Sequence, residues 1–222
     1  MEGDSNNKLA TVSAAQALEQ DLERRVLEGD FVPGEHLRET ELSEEYGVGR
    51  HTLRAAFDAL VRRRLLGKQR NRGVFVRALT AADLQEIYEL REALEVEAFR
   101  ILAGRKIVPP EARAAVAALE SFDGRTPRQA VIEVDLGFHR AIVLATGNAR
   151  LARVHEDIES EIRLCLAQLV HGYAKPRELA AEHADLLAAI ERGRIKAAED
   201  AIRSHFETAR DWLIERAEST PV

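Results

Sequence analysis

A single cysteine, Cys165, stands among the 222 residues. It excludes an intrachain disulfide framework and fits a reducing compartment. Apolar residues flank it from Leu164 to Val170, which predicts a buried thiol. No apolar run approaches the ~18–20 residues that a membrane span requires. The first residues, with Glu2, Asp4 and only Lys8 basic, lack a signal peptide's charged-then-apolar pattern. A cytoplasmic protein without membrane partners is the expectation. Aromatic residues are scarce, at 5%, while Ala, Leu, Glu and Arg dominate, a composition that favours helix.

Acid is also missing from one stretch. Residues 50–77 hold nine Lys or Arg and one acid, Asp58, a net +8 in 28 residues. The whole chain has a net charge of −6, but residues 1–79 are balanced at 13 against 13, and the excess acid lies beyond them. A local basic block is what phosphate binding needs, whatever the total. The alternative is a solvated helix face.

The block begins inside the most informative segment of the chain, residues 38–54. Its pattern is helix, tight turn, helix. Leu42, Tyr46 and Val48 are spaced to bury a short first helix, and Gly47 stands where the turn needs positive φ. The second helix opens with Arg50, His51, Thr52 and Arg54. A first turn of donors instead of apolar residues suits a DNA major groove.

Around this motif, residues 13–28 carry apolar positions at helical spacing, and Phe31-Val32-Pro33-Gly34 is a turn. Helices are predicted over 39–46 and 50–65. Residues 68–76 form a hairpin with a basic tip and a β-prone Val-Phe-Val. Three helices and a basic hairpin describe a winged helix-turn-helix domain over 12–79, behind a disordered tail at 1–11. Beyond it, Thr80 caps a helix with Asp83 in a capping box. Breaks at Pro109-Pro110, Gly124 with Pro127, Gly147-Asn148, Pro176 and Gly193 delimit six helices: 81–104, 111–120, 127–146, 149–172, 176–192 and 194–217. The fold class is mainly α, with residues 80–222 an all-α six-helix bundle. Leu84, Ile87, Leu90 and Leu94 on its first helix form either a dimer face or internal core.

Three of the seven histidines occupy apolar helix faces. His139 follows Asp135 by one turn beside Ile132, Leu136 and Ile142; His183 and His205 lie on the last two helices. One carboxylate and three imidazoles, with no thiolate, make a divalent-metal site with positions open for water or a ligand. Spacing alone does not show that the helices converge, and each histidine could instead be a satisfied core or surface residue. His36, His155 and His171 are expected in solvent, His36 in a loop.

The first 77 residues resemble the winged-helix domain of the GntR family of bacterial transcription regulators. The match runs through Leu27-Glu28-Gly29-Asp30-Phe31-Val32-Pro33-Gly34-Glu35-His36-Leu37-Arg38-Glu39, Glu41-Leu42-Ser43, Gly47-Val48, Arg50, Leu53-Arg54 and Arg72-Gly73-Val74-Phe75-Val76. The remainder resembles the FCD effector domain of the FadR subfamily, of the six-helix, VanR-like kind. That match includes Tyr88-Glu89-Leu90-Arg91, Leu94-Glu95, Asp135, Phe138-His139, Gly147-Asn148, Glu182-His183 and His205.

The resemblance implies metal ligands at Asp135, His139, His183 and His205, holding zinc, with nickel or manganese as alternatives, and a small organic acid effector beside the metal. Arg91 matches an effector-pocket arginine, with a surface pair to Glu95 as its alternative; Arg163 is a second candidate. Implied DNA contacts are Arg38, Thr40, Arg50, His51, Thr52, Arg54, Arg72 and Gly73. Gly49 replaces the usual Ser or Thr, which removes a helix cap, and His51-Thr52-Leu53 replaces the common Thr-Pro-Val. The expected function is a ligand-responsive repressor that binds operator DNA as a homodimer, not an enzyme. A metal sensor is the alternative, with a metal-dependent enzyme fused to a DNA-binding module behind it.

Overall fold

The computed structural model describes residues 13–169 and 175–219. The tail at 1–11 and His171 therefore lie outside the described residues. Contacts divide the chain into two compact units, with the main boundary between Arg77 and Ala78 and with Leu27–Gly29 grouped with the second.

The first unit contains α1 (Ala14–Glu28), β1 (His36–Leu37), α2 (Glu39–Tyr46), α3 (Arg50–Arg62), β2 (Leu66–Gln69) and β3 (Gly73–Val76). Leu22, Leu53, Phe57, Leu60, Leu65 and Val76 form its core. Leu42 is buried, while Tyr46 and Val48 are half-buried. Gly47 ends α2 at φ 62°, and the Val48 amide returns to the Ser43 carbonyl at 3.1 Å. That left-handed step costs a glycine little and sets the angle between α2 and α3. Gly49 precedes α3 in an extended conformation and offers no side-chain cap.

Two local expectations need correction. Helix α3 stops at Arg62, not at residue 65, because Arg64 adopts φ 56° and the Leu65 amide closes on the Leu60 carbonyl. The early stop lets Leu65 and Leu66 enter the core. His36 is exposed but belongs to a strand. The turn at Pro33-Gly34 brings β1 antiparallel to β3, pairing His36 with Phe75 and Leu37 with Val74. The sheet order is β1-β3-β2, so the hairpin gains a third strand.

The second unit is helical throughout its described residues: α4 (Ala81–Arg105), α5 (Pro110–Ser121), α6 (Arg128–Ala145), α7 (Ala149–Leu169), α8 (Pro176–Glu191) and α9 (Ile195–Ser219). The Thr80 capping box is formed, with the Asp83 amide donating to Thr80 Oγ1 at 3.2 Å and the Thr80 amide to Asp83 Oδ2 at 2.9 Å. Helix α4 packs along α9 and also meets α6, α7 and α8. Surrounded in this way, it buries residues on several sides, including Leu84, Ile87, Tyr88, Arg91, Glu95 and Phe99. Leu84 and Ile87 are core, whereas Leu90 is 41% exposed. Cys165 is buried in α7.

Candidate functional site

Helix α6 buries residues 131, 132, 135, 136, 138, 139, 141, 142 and 143, a broad inward face at helical spacing. Two of those positions are polar, so Asp135 and His139 enter the bundle with their apolar neighbours. His183 on α8 is wholly buried and His205 on α9 is nearly so. The nitrogens of His139, His183 and His205 lie within 4.8 Å of one another. Asp135 Oδ1 stands 3.0 Å from His183 Nε2 and 3.8 Å from His139 Nε2, and the two Nε2 atoms are 3.3 Å apart. The predicted ligand positions thus come together in space.

Hydrogen bonds fix which ring nitrogens face the centre. His139 Nδ1 donates to Glu95 Oε2 at 2.5 Å, and His183 Nδ1 donates to the Leu179 carbonyl at 2.7 Å. An imidazole whose single proton sits on Nδ1 presents the Nε2 lone pair to the centre. Burial brings the His139 imidazole down to about 3, which keeps it neutral near pH 7. Asp135 Oδ1 is buried 3.0 Å from His183 Nε2. Burial would raise the Asp135 carboxyl, but His183, His139 and Arg91 hold it below its ordinary range. In that tautomer the two Nε2 atoms and Asp135 Oδ1 are acceptors at short range, a donor set that fits a cation. Ligands at about 2.0–2.2 Å from one ion in a tetrahedron are roughly 3.4 Å apart, close to the spacings of His183 Nε2 to its two neighbours.

Behind the cluster lies a carboxylate whose role spacing did not reveal. Glu95, fully buried, accepts from Arg91 Nε at 3.0 Å, His139 Nδ1 at 2.5 Å and His155 Nε2 at 3.2 Å. Burial works to raise its carboxyl, yet His139, Arg91 and the hydrogen bonds from both imidazoles hold it well below the ordinary range. Its signal in the sequence was the i, i+4 spacing from Arg91, which suggested a surface pair. The pair exists, but in the core. His155 corrects another expectation. It is 2% exposed, not solvated, because its face of α7 turns inward to Glu95.

Arg91 is buried over the ring of Phe206, 4.6 Å from its centroid, and its Nη2 has no hydrogen-bond partner. Arg163 is differently placed. It donates to Glu133 at 2.8 and 2.9 Å and to Glu159 at 3.1 Å, neither of them part of the histidine cluster. Glu182 is exposed on α8, with Oε2 3.5 Å from His205 Nδ1.

In the first unit, the residues implied as DNA contacts are at the surface. Arg38, Thr40, Arg50, His51, Arg54, Arg72 and Gly73 are exposed and Thr52 is half-buried. Two of the arginines are paired within the unit, Arg38 with Glu41 at 2.8 Å and Arg54 with Glu39 at 2.9 Å. Gly73 has φ 80° at the start of β3, and Asn71 at the tip has φ 67°, so the wing turns sharply.

Comparison with known proteins agrees with both units. The family described as "Bacterial regulatory proteins, gntR family" matches residues 14–76, and the FCD domain matches residues 86–208. Relatives include the probable D-xylose utilization operon transcriptional repressor of Paenarthrobacter nicotinovorans, 28% identical over 90% of this chain and 89% of that protein. The galactonate operon transcriptional repressor of Escherichia coli K12 is 28% identical over 81% and 88%. A crystal structure of a GntR-type regulator from Rhodococcus sp. RHA1 superimposes with TM-score 0.74 at 23% identity, over 90% of this chain and 97% of that one. These families and relatives are regulators of transcription and not enzymes. The chain belongs to the GntR family, as a DNA-binding transcription regulator with a winged helix-turn-helix domain followed by an FCD domain.

Proposed function

We propose that the protein is a homodimeric operator-binding repressor whose FCD domain holds a divalent metal, zinc first, and a small carboxylate effector beside it. The observation that carries this reading is the convergence of Asp135 Oδ1 with the Nε2 atoms of His139 and His183, with His205 alongside. Asp135, His139, His183 and His205 would hold the ion. A bound divalent ion supplies positive charge and open coordination positions for a carboxylate oxygen.

Arg91 is the protein's own contact for the same carboxylate. Its Nε is committed to Glu95, while the buried and unpartnered Nη2 remains to donate. Arg163 is the weaker candidate, since it would have to exchange Glu133 or Glu159. In the other domain, α3 enters the major groove, with Arg50, His51, Thr52 and Arg54 toward bases and Arg38, Thr40 and the Arg72-Gly73 wing along the flanks. A two-fold protein matches a palindromic operator. The repressing sign follows relatives named as repressors, and one of them is named for the operon of a sugar acid, galactonate. An effector that binds DNA-competent and incompetent states unequally shifts the population between them.

Metal content of untagged protein tests the central step, measured beside the His183→Ala/His205→Ala double variant. About one equivalent in the wild type and none in the variant supports the reading. No metal in either, after incubation with zinc or nickel, removes the ion from the mechanism and leaves DNA binding untouched. Operator release by free metal alone, without any organic acid, would replace the effector with the metal as signal.

A further inference from the structure

Glu39 is the acid least expected beside a DNA-reading helix. It occupies the first turn of α2, and its Oε2 accepts from Arg54 Nε on α3 at 2.9 Å. Both side chains are accessible, Arg54 at 61% and Glu39 at 33%. The pair spans the two helices of the helix-turn-helix motif, between residues 15 apart. A carboxylate on Nε restrains the planar guanidinium while the two terminal nitrogens stay available on a 61% exposed side chain. That pair of donors is the fork that matches guanine O6 and N7. The same carboxylate borders the +8 block of residues 50–77 and repels phosphates.

We infer that Glu39 is a specificity-determining residue that holds Arg54 in position to read one guanine, weakening binding to DNA in general while sharpening the choice of sequence. This rests on α3 being the base-reading helix. An acid in the first turn of a helix also stabilises the helix N-terminus, but that role gives no base preference. Glu41 serves as the internal control. It lies in the same first turn and pairs with an exposed arginine, Arg38, but three residues away along the chain and not on α3.

The test is selection from a random duplex library by the full-length protein, followed by titration with the enriched duplex and a scrambled duplex. Glu39→Ala, Arg54→Ala, the double variant and Glu41→Ala are compared with the wild type. Glu39→Ala should lose preference at the base pair that Arg54→Ala also loses, by about tenfold or more, and should bind the scrambled duplex more tightly. The double variant should lose no further preference at that position, and Glu41→Ala should keep it. An unchanged preference at that base pair in Glu39→Ala overturns the inference. So does a uniform loss of affinity with all preferences intact, or an Arg54→Ala variant that prefers the wild-type motif. A wild type that enriches no motif defeats the operator-binding reading itself and this inference with it.

Discussion

The two units use charge in opposite ways. In the winged-helix unit, ion pairs such as Arg38–Glu41 and Arg54–Glu39 are at the surface, where water and salt screen them and each adds little to stability. Their use lies in what they present to a ligand as large as a duplex. In the FCD unit, Arg91, Glu95, Asp135, His139, His155 and His183 are buried together. Water has been removed from them, so their polar atoms lean on one another, Arg91 Nη2 and Asp135 Oδ1 being left without a hydrogen-bond partner. Surface charge is cheap and replaceable, whereas buried charge is tied to one geometry.

The largest expected effect comes from breaking the buried network. Glu95→Ala would leave Arg91 without its carboxylate and two imidazoles without their acceptor. Urea denaturation should show a loss of about 3–5 kcal/mol. Glu39→Ala, which breaks a surface pair, should change stability by less than about 1 kcal/mol. Equal losses would erase the contrast.

Glu95→Gln asks for less. The amide keeps the shape but no longer orients His139 as a carboxylate does. Zinc affinity, measured by competition with a chromophoric chelator, should fall about 10–100-fold. Unchanged affinity would confine Glu95 to a packing role.

Salt separates the units next. Operator affinity should fall steeply between 50 and 200 mM KCl, with a log–log slope of about −0.9 per phosphate contact. Arg72→Ala, at the proposed wing contact, should reduce that slope by about 1. Zinc affinity over the same range should be nearly flat, since buried pairs are screened little. A steep salt dependence for zinc would mean that the site is wetter than the burial of its ligands indicates.

The smallest effect concerns the uncapped start of α3. A Cβ at Gly49 meets no atom within 4 Å, and its backbone is already extended. Gly49→Ser should therefore raise the unfolding free energy by a few tenths of a kcal/mol, read as a slightly higher denaturation midpoint. A loss would show that the glycine meets a local demand beyond capping.

Much of the fold was legible because its signals are local. Gly47 announced the turn between α2 and α3, Thr80 and Asp83 the start of α4, and Pro110 and Pro176 the starts of α5 and α8. Strand β1 was not legible. A two-residue strand has too short a pattern, and it exists because β3 offers it an edge. The end of α3 was hidden too, since Arg64 carries no residue-type signal for its left-handed conformation.

Asp135, His139, His183 and His205 could be picked out from their places on apolar helix faces, while their role as a shared ligand set came only from the resemblance. Glu95 on α4 and His155 on α7 were misjudged because both turn into the bundle, where they meet at 3.2 Å. Helix α4 is covered on several sides, by α6, α7, α8 and α9, so a polar residue on it need not face water. The alternation that marks a surface helix does not apply to such a helix.

Sequence by itself determined the order of helices and turns, the basic stretch around α3 and the apolar faces that had to be buried, because these depend on backbone preference and periodicity over a few residues. Only the tertiary structure decided which polar groups meet. Glu95 reaches His139 across 44 residues and His155 across 60. Contacts at that separation are set by how helices pack, and it is packing that turned scattered imidazoles and carboxylates into one buried donor set.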